Sequence, residues 1–217
     1  MRNRRRGDVD MTQGSIQKQI ISFALPLFIG NLFQQLYSAA DSLIVGRFRG
    51  SEALAAISSS GSLIFLTIGF FNGMAMGAGV VIGRYFGAKD YDRVRRSIHT
   101  DIAFGLLAGL FLTVFGSLMS PVILRWMGTP ADVMPNSILY FRVLFLGIIG
   151  NLMYNILQGV HQAIGDSTHP LIYLIISSVT NIILDVLFVG VMGFSVGAAA
   201  LATIISQLLS SVLSLPI

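Results

Sequence analysis

The chain has 217 residues, 54% of them hydrophobic and only 11% charged, whereas a soluble globular domain carries about 25% charged residues. That balance excludes a water-solvated domain as its main body, and the absence of cysteine excludes disulfides, thiolate metal sites and a cysteine nucleophile. The net charge of +4 does not point to nucleic acid, because the basic residues sit in the N-terminal tail and between apolar runs, where anionic lipid and membrane topology account for them.

Residues 1–19 form a polar tail carrying Arg2, Arg4, Arg5, Arg6 and Lys18, which reads as a disordered or interfacial anchor. The first apolar run covers 20–45. A signal peptide is the competing reading, with Ser38-Ala39-Ala40 as small residues for cleavage. The run is longer than the usual apolar core of about 7–15 residues and carries Asn31, Gln34 and Gln35, which favours an uncleaved span. Further apolar runs cover 54–86, 98–124, 137–160, 171–191 and 196–215, separated by short segments rich in Gly, Pro or charge at 46–53, 87–97, 125–136, 161–170 and 192–195. Runs of roughly 20 residues match a hydrocarbon core of about 30 Å. The sequence therefore predicts an all-α membrane protein, with residues 20–217 as one unit of six transmembrane helices surrounded by lipid.

Orientation follows from the cations. The tail and the 87–97 connection with its flank (Arg84, Lys89, Arg93, Arg95, Arg96) hold ten, against Arg47, Arg49 and Arg125 on the opposite side. This predicts a cytoplasmic N-terminus; the membrane expected is a plasma membrane, of the bacterial inner-membrane kind. Gly69, Gly73 and Gly77 lie at intervals of four, followed by Gly79 and Gly83, with Gly105 and Gly109 in the third span. Such a face lets a neighbouring backbone approach closely, so packing inside the bundle is expected. The chain stops at Ile217 with no basic flank after its last span; either the sixth helix ends at the membrane surface or the chain is part of a longer protein, and the second reading is favoured.

Two acids fall within apolar runs, Asp41 and Asp185. An ionised carboxylate at membrane depth costs about 2.5–3.5 kcal/mol on insertion scales, so each needs a partner, water or a proton. With the N-terminus inside, both come to the outer third of the membrane at about 1.5 Å per residue. Asn181 lies one turn before Asp185. The sixth span brings Ala199 and Thr203 to the same level, so that Asp41, Asn181, Asp185 and Thr203 converge. The alternative for Asp41 is an interfacial residue paired with Arg47 or Arg49. Gln34, Tyr37, Tyr140 and Asn155 add polar groups within spans one and four and are candidates to line a substrate cavity, although such groups also bond between helices. His99, His161 and His169 share no metal-ligand spacing and are expected at the interface. There is no nucleophile elbow, phosphate loop or paired catalytic acid in a soluble setting, so an enzyme is not expected.

The chain resembles the multidrug and toxic compound extrusion (MATE) family. The resemblance is carried by Ala24-Leu25-Pro26, Gln34-Gln35-Leu36-Tyr37 and Asp41 through Val45-Gly46-Arg47, by Ala53-Leu54-Ala55-Ala56-Ile57 and Gly87-Ala88-Lys89-Asp90, and by Gly165-Asp166-Ser167 with Pro170. Asn181-Ile182-Ile183-Leu184-Asp185 and the run Gly197 to Thr203 complete it. It implies the N-terminal six-helix lobe of a twelve-helix secondary transporter, closest to the branch of bacterial DNA-damage-inducible exporters. Such a transporter exports organic, often cationic compounds in exchange for sodium ions or protons. In the family, acids of the first and fifth helices serve cation coupling, matching Asp41 and Asp185. The nearby asparagine matches Asn181, and the sixth-helix positions match Ala199 and Thr203. Sodium would use the oxygens of Asp41, Asn181, Asp185 and Thr203 as hard ligands, while a proton needs only the two acids.

Alternating access requires two units around a central site, so the partner implied is the missing C-terminal lobe or a second copy. A lipid-linked oligosaccharide flippase is the nearest alternative, but it calls for a basic cavity, and Arg142 is the one candidate cation inside these spans. A membrane scaffold or channel subunit would explain the glycines and leave Asp41 and Asp185 unaccounted for.

Overall fold

The structure, a computed structural model, describes residues 15–215, with the side chains at 52, 56, 59–64, 66–68 and 72 outside the description. Arg2, Arg4, Arg5 and Arg6 of the expected tail also lie outside the described residues.

Helix α1 (Ile16–Gly87) runs through Pro26 and is interrupted at Gly50, whose φ of +83° suits glycine and strains other residues. The two arms fold back on each other there. A Cβ on Gly46 would meet Leu54 Cδ2 at 3.4 Å, whereas residues eight apart on a straight helix are separated by about 12 Å along the axis. The expected connection 46–53 is therefore a turn made at one glycine, with helix on both sides of it.

Asp90 caps α2 (Tyr91–Trp126) by accepting from the Arg93 backbone N–H at 3.2 Å, which satisfies one of the otherwise unpaired donors of a helix start. This shortens the expected 87–97 connection to 88–90. Helices α3 (Met134–Leu146) and α4 (Ile148–Ala163) meet at 49° around Gly147, where a Cβ would run into Ile204. Helix α5 (Thr168–Asp185) passes into a π-helical turn (Val186–Val191), and α6 (Val196–Leu213) returns beside it.

No strand occurs among the described residues. Ile16–Ser51, Tyr91–Trp126, Thr168–Val191 and Val196–Leu213 are each long and apolar enough to cross a bilayer, and the bent α3–α4 pair is long and apolar enough when its two helices are taken together. The second arm of α1, 51–87, is the sixth helical rod.

The bundle is inverted relative to a protein in water. Phe65, Leu107, Leu118 and Trp126 are all more than 60% exposed, while Asp185, Asn181, Ser137 and Ser210 are at most 1% exposed. Lipid as the solvent produces this arrangement, since apolar side chains meet acyl tails and polar groups must be satisfied within the bundle.

Small residues set how closely the helices approach. A Cβ at Gly105 would collide with Met153 and Ile156 of α4, and one at Gly116 with Phe145 of α3. Gly79 and Gly83 lie against the end of α4, where a Cβ would stand 3.3 Å from the Gly159 carbonyl and 3.2 Å from that of Ala163. The expectation for Gly69, Gly73 and Gly77 is corrected: all three are exposed, and a Cβ there would meet nothing within 4 Å. Gly79 is two positions after Gly77, about 200° around a helix, so the interval-four face points away from α4.

Candidate functional site

The first arm of α1, the end of α5 and the start of α6 converge on Asp41 and Asp185. Asp185 is the last residue of α5 before the π-helical turn, a local unwinding that recurs at functional positions in helices. Ile44 and Val45 of α1, Val189 of the turn, Ala199 and Ala200 of α6 and Tyr140 of α3 form one buried apolar cluster around the acids. Ala199 is fully buried, and its small side chain allows α6 to approach.

The two carboxyl groups adjoin one another, and Tyr37 and Tyr140 lie within reach of their charge. Asn181, one turn before Asp185, donates from Nδ2 to Thr203 Oγ1 at 3.5 Å, and Thr203 Oγ1 donates to the Ala199 carbonyl at 3.1 Å. Asp41, Asn181, Asp185, Ala199 and Thr203 are thus brought together, from three helices.

What these groups lack is a donor. Asp41 Oδ1, both oxygens of Asp185 and Asn181 Oδ1 are buried without a hydrogen-bond partner. Among the described residues no ion pair joins Asp41 to Arg47 or Arg49, and none reaches Asp185. Arg142 is exposed and donates from Nε to the Ser117 carbonyl at 3.2 Å. Buried carboxylates without hydrogen bonds or counter-charge are costly, and four such oxygens in one place suit a bound proton or a small hard cation. Among the described residues no group of three or more His, Cys, Asp or Glu is positioned to hold a metal ion. The donors that the site offers are two carboxylates with an amide and a hydroxyl oxygen, all hard oxygen ligands by type.

The four cavity candidates separate. Gln34 and Tyr37 line a small cavity that begins at Asn181. Tyr140 belongs to the wall around the acids. Asn155 faces a different cavity, with Asp101, Phe104 and Met74, and donates to Asn151 Oδ1 at 3.0 Å. Four residues turn a helix about 40° past a full turn, which carries Asn155 from the face of Asn151 toward α2.

Sequence reasoning missed Tyr154, Ser177, Ser206, Gln207 and Ser210, which line the first cavity with Gln34 and Tyr37. The available signal was the spacing of Thr203, Ser206, Ser210 and Ser214, roughly one turn apart on α6. It also missed Asp101 at the start of the third span. His161, expected at the membrane interface, sits in the last turn of α4 and is 3% exposed, with Nδ1 at 3.1 Å from Asp166 Oδ2 and Nε2 at 3.3 Å from the Ser214 carbonyl.

A family model described as MatE matches residues 26–187, a stretch that contains Asp41, Asn181 and Asp185. The chain belongs to the MatE family. MatE relatives include the "probable multidrug resistance protein YoeA" of Bacillus subtilis, 36% identical over 198 residues, covering 89% of this chain and 43% of that protein. The "multidrug export protein MepA" of Staphylococcus aureus is 29% identical over 190 residues, covering 88% of this chain and 42% of that protein. Among solved structures, a MOP superfamily transporter from Pyrococcus furiosus aligns with a TM-score of 0.88 at 28% identity, covering 95% of this chain and 46% of the other. The outward-facing conformation of a multidrug resistance MATE family transporter aligns with a TM-score of 0.87 at 28% identity, with the same coverage. The chain spans less than half the length of these MatE proteins and corresponds to one lobe of them. MatE members are transporters, not enzymes. The relatives named here do not speak to the DNA-damage-inducible branch.

Proposed function

We propose that this chain is the cation-coupling lobe of a secondary active antiporter, which exports organic, mainly cationic compounds across the plasma membrane in exchange for inward sodium ions or protons. The observation that carries the reading is the set of buried oxygens without donors at Asp41, Asp185 and Asn181. The two acids supply the charge. Asn181 Oδ1 supplies a neutral oxygen, and Thr203 Oγ1 keeps one lone pair free while it accepts from Asn181 Nδ2 and its proton is engaged by the Ala199 carbonyl. A proton or sodium ion between the acids offsets their repulsion in a poorly solvated place. Its loss changes the packing of α1 against α5 and α6, which gives the ion a different affinity for the two states of the transporter. Gln34 and Tyr37 line a cavity of about 20 Å³, too small for an organic cargo, so they are not proposed to meet it; an acidic interior suits a cationic cargo. The drug-resistance and drug-export names of the relatives support the cargo class. The partner is a second lobe or a second copy of this chain, and the N-terminus is cytoplasmic.

The reading is tested by the thermal midpoint of the chain in lipid nanodiscs, because a cation that binds only the folded state raises it. Sodium at constant ionic strength, or lowered pH, is expected to raise the midpoint. Asp185→Asn and Asp41→Asn are expected to remove most of that rise. A midpoint indifferent to both cations would overturn the reading.

A further inference from the structure

A seam of polar groups leads from Asn181, one turn before Asp185, to the far end of α6. The cavity that starts at Asn181 and Tyr37 continues between α4, α5 and α6 to Ser210, and its volume is about 20 Å³. One water needs roughly 10–15 Å³, so the cavity admits water or a small monovalent ion and excludes an organic cargo. Asn181 Oδ1, Tyr154 Oη and Ser210 Oγ face this space without hydrogen-bond partners, from residues 1%, 6% and 1% exposed. Left dry, each would cost about 1–3 kcal/mol, and water supplies the missing partners.

Beyond Ser210 the polar groups continue. The Ser214 hydroxyl donates to the Ser210 carbonyl at 2.8 Å, and the Ser214 carbonyl is 3.3 Å from His161 Nε2. His161 Nδ1 and His169 Nδ1 lie 3.1 and 2.7 Å from the same oxygen of Asp166. Tyr173 packs on both rings. The His169 side chain is 37% exposed, so the series ends at the surface. From Thr203 to Ser214 it spans about 16 Å of helix.

We propose that this seam is hydrated and that it is the route by which a small monovalent cation or proton passes between the Asp41–Asp185 pair and the His161–Asp166–His169 end of the bundle, separate from the path of the organic cargo. The assignment of the coupling cation to the seam rests on the function proposed above. The hydration of the seam rests on the cavity and its unpartnered groups alone.

The chain contains no cysteine, so single cysteines report without interference. Ser210→Cys and Ser178→Cys place near-isosteric thiols on the cavity wall, and Ser120→Cys places one on α2, fully buried and outside it. Silver ion, a small monovalent cation that bonds thiolate, is applied to the chain in lipid vesicles. Both cavity thiols are expected to react roughly tenfold faster or more than Ser120→Cys, a difference of about 1.4 kcal/mol in barrier. Adding His161→Phe, which puts an apolar ring across the exit, is expected to slow the reaction at position 210. Where that substitution prevents folding, Ser214→Val in the same background takes its place. Cavity thiols as slow as Ser120→Cys would overturn hydration, and rates indifferent to the exit substitution would overturn the route. Fast cavity thiols together with a thermal midpoint indifferent to sodium and pH would leave a hydrated seam and remove its coupling role.

Discussion

Asn181 of α5 donates from Nδ2 to Oγ1 of Thr203 on α6 across 3.5 Å, while its own Oδ1 has no donor facing it. The amide is thereby oriented, with its nitrogen held by α6 and its oxygen left without a donor. Thr203→Val keeps the shape and removes the acceptor. It is expected to cost about 1 kcal/mol of stability. It should also weaken stabilisation by sodium if sodium is the coupling ion, leaving stabilisation by protons intact. Thermal midpoints against sodium and against pH check both parts.

Asp166 anchors the other end of the seam. Burial by itself would raise its carboxyl, but hydrogen bonds from His161 and from the backbone and ring of His169 outweigh this and lower it to about 2 from 3.8. A carboxyl lower in the folded than in the unfolded state contributes stability that is fully present above pH 3.8 and is lost as pH falls through about 2. Asp166→Asn should therefore destabilise the chain at neutral pH by about 2 kcal/mol, at 1.36 kcal/mol per unit. The deficit should shrink toward zero in acid. Unfolding of the two forms between pH 7 and pH 2 measures it, and a constant deficit would count against the assignment.

The glycines separate into two kinds. Gly116→Ala should destabilise, because its methyl group would occupy the position of Phe145, and overpacking of this sort costs roughly 1–3 kcal/mol. Gly73→Ala meets nothing within 4 Å and should be neutral or stabilising by up to about 1 kcal/mol, since alanine favours helix. Unfolding midpoints in detergent compare the two directly.

Topology is a separate expectation. Ten cations against three put 87–97 on the cytoplasmic side and 125–136 outside. Cysteines substituted at Asp90 and Asp132 should be labelled from opposite faces of sealed cells. Labelling of both by an impermeant reagent applied outside would contradict this orientation.

The spans were legible because each apolar run exceeds a bilayer thickness, and the pairing of Asp41 with Asp185 was legible because depth along a helix can be counted from the sequence. The turn at Gly50 was hidden because glycine, serine and charge around 46–53 describe a longer loop equally well, and only φ distinguishes the two. Interval-four spacing correctly groups Gly69, Gly73 and Gly77 on one face but contains nothing about which neighbour that face meets. The seam was overlooked for a related reason. Ser177, Ser206 and Ser210 look like ordinary serines bonded to their own helices, and the cavity exists only where α1, α4, α5 and α6 meet. His161 and Ser214 are 53 residues apart, a separation at which no local pattern operates.

The central claim is that Asp41 and Asp185 hold the coupling cation, and ion-driven export tests it most directly. A transporter carrying this lobe together with a second lobe is reconstituted into vesicles, and export of a cationic dye is driven by a sodium gradient or by a pH gradient. Asp185→Asn is expected to abolish gradient-driven export while insertion and abundance stay at the parental level, with Asp41→Asn nearly as severe. Export by both variants at the parental rate, with the same ion dependence, would contradict the account and leave the two acids a structural role.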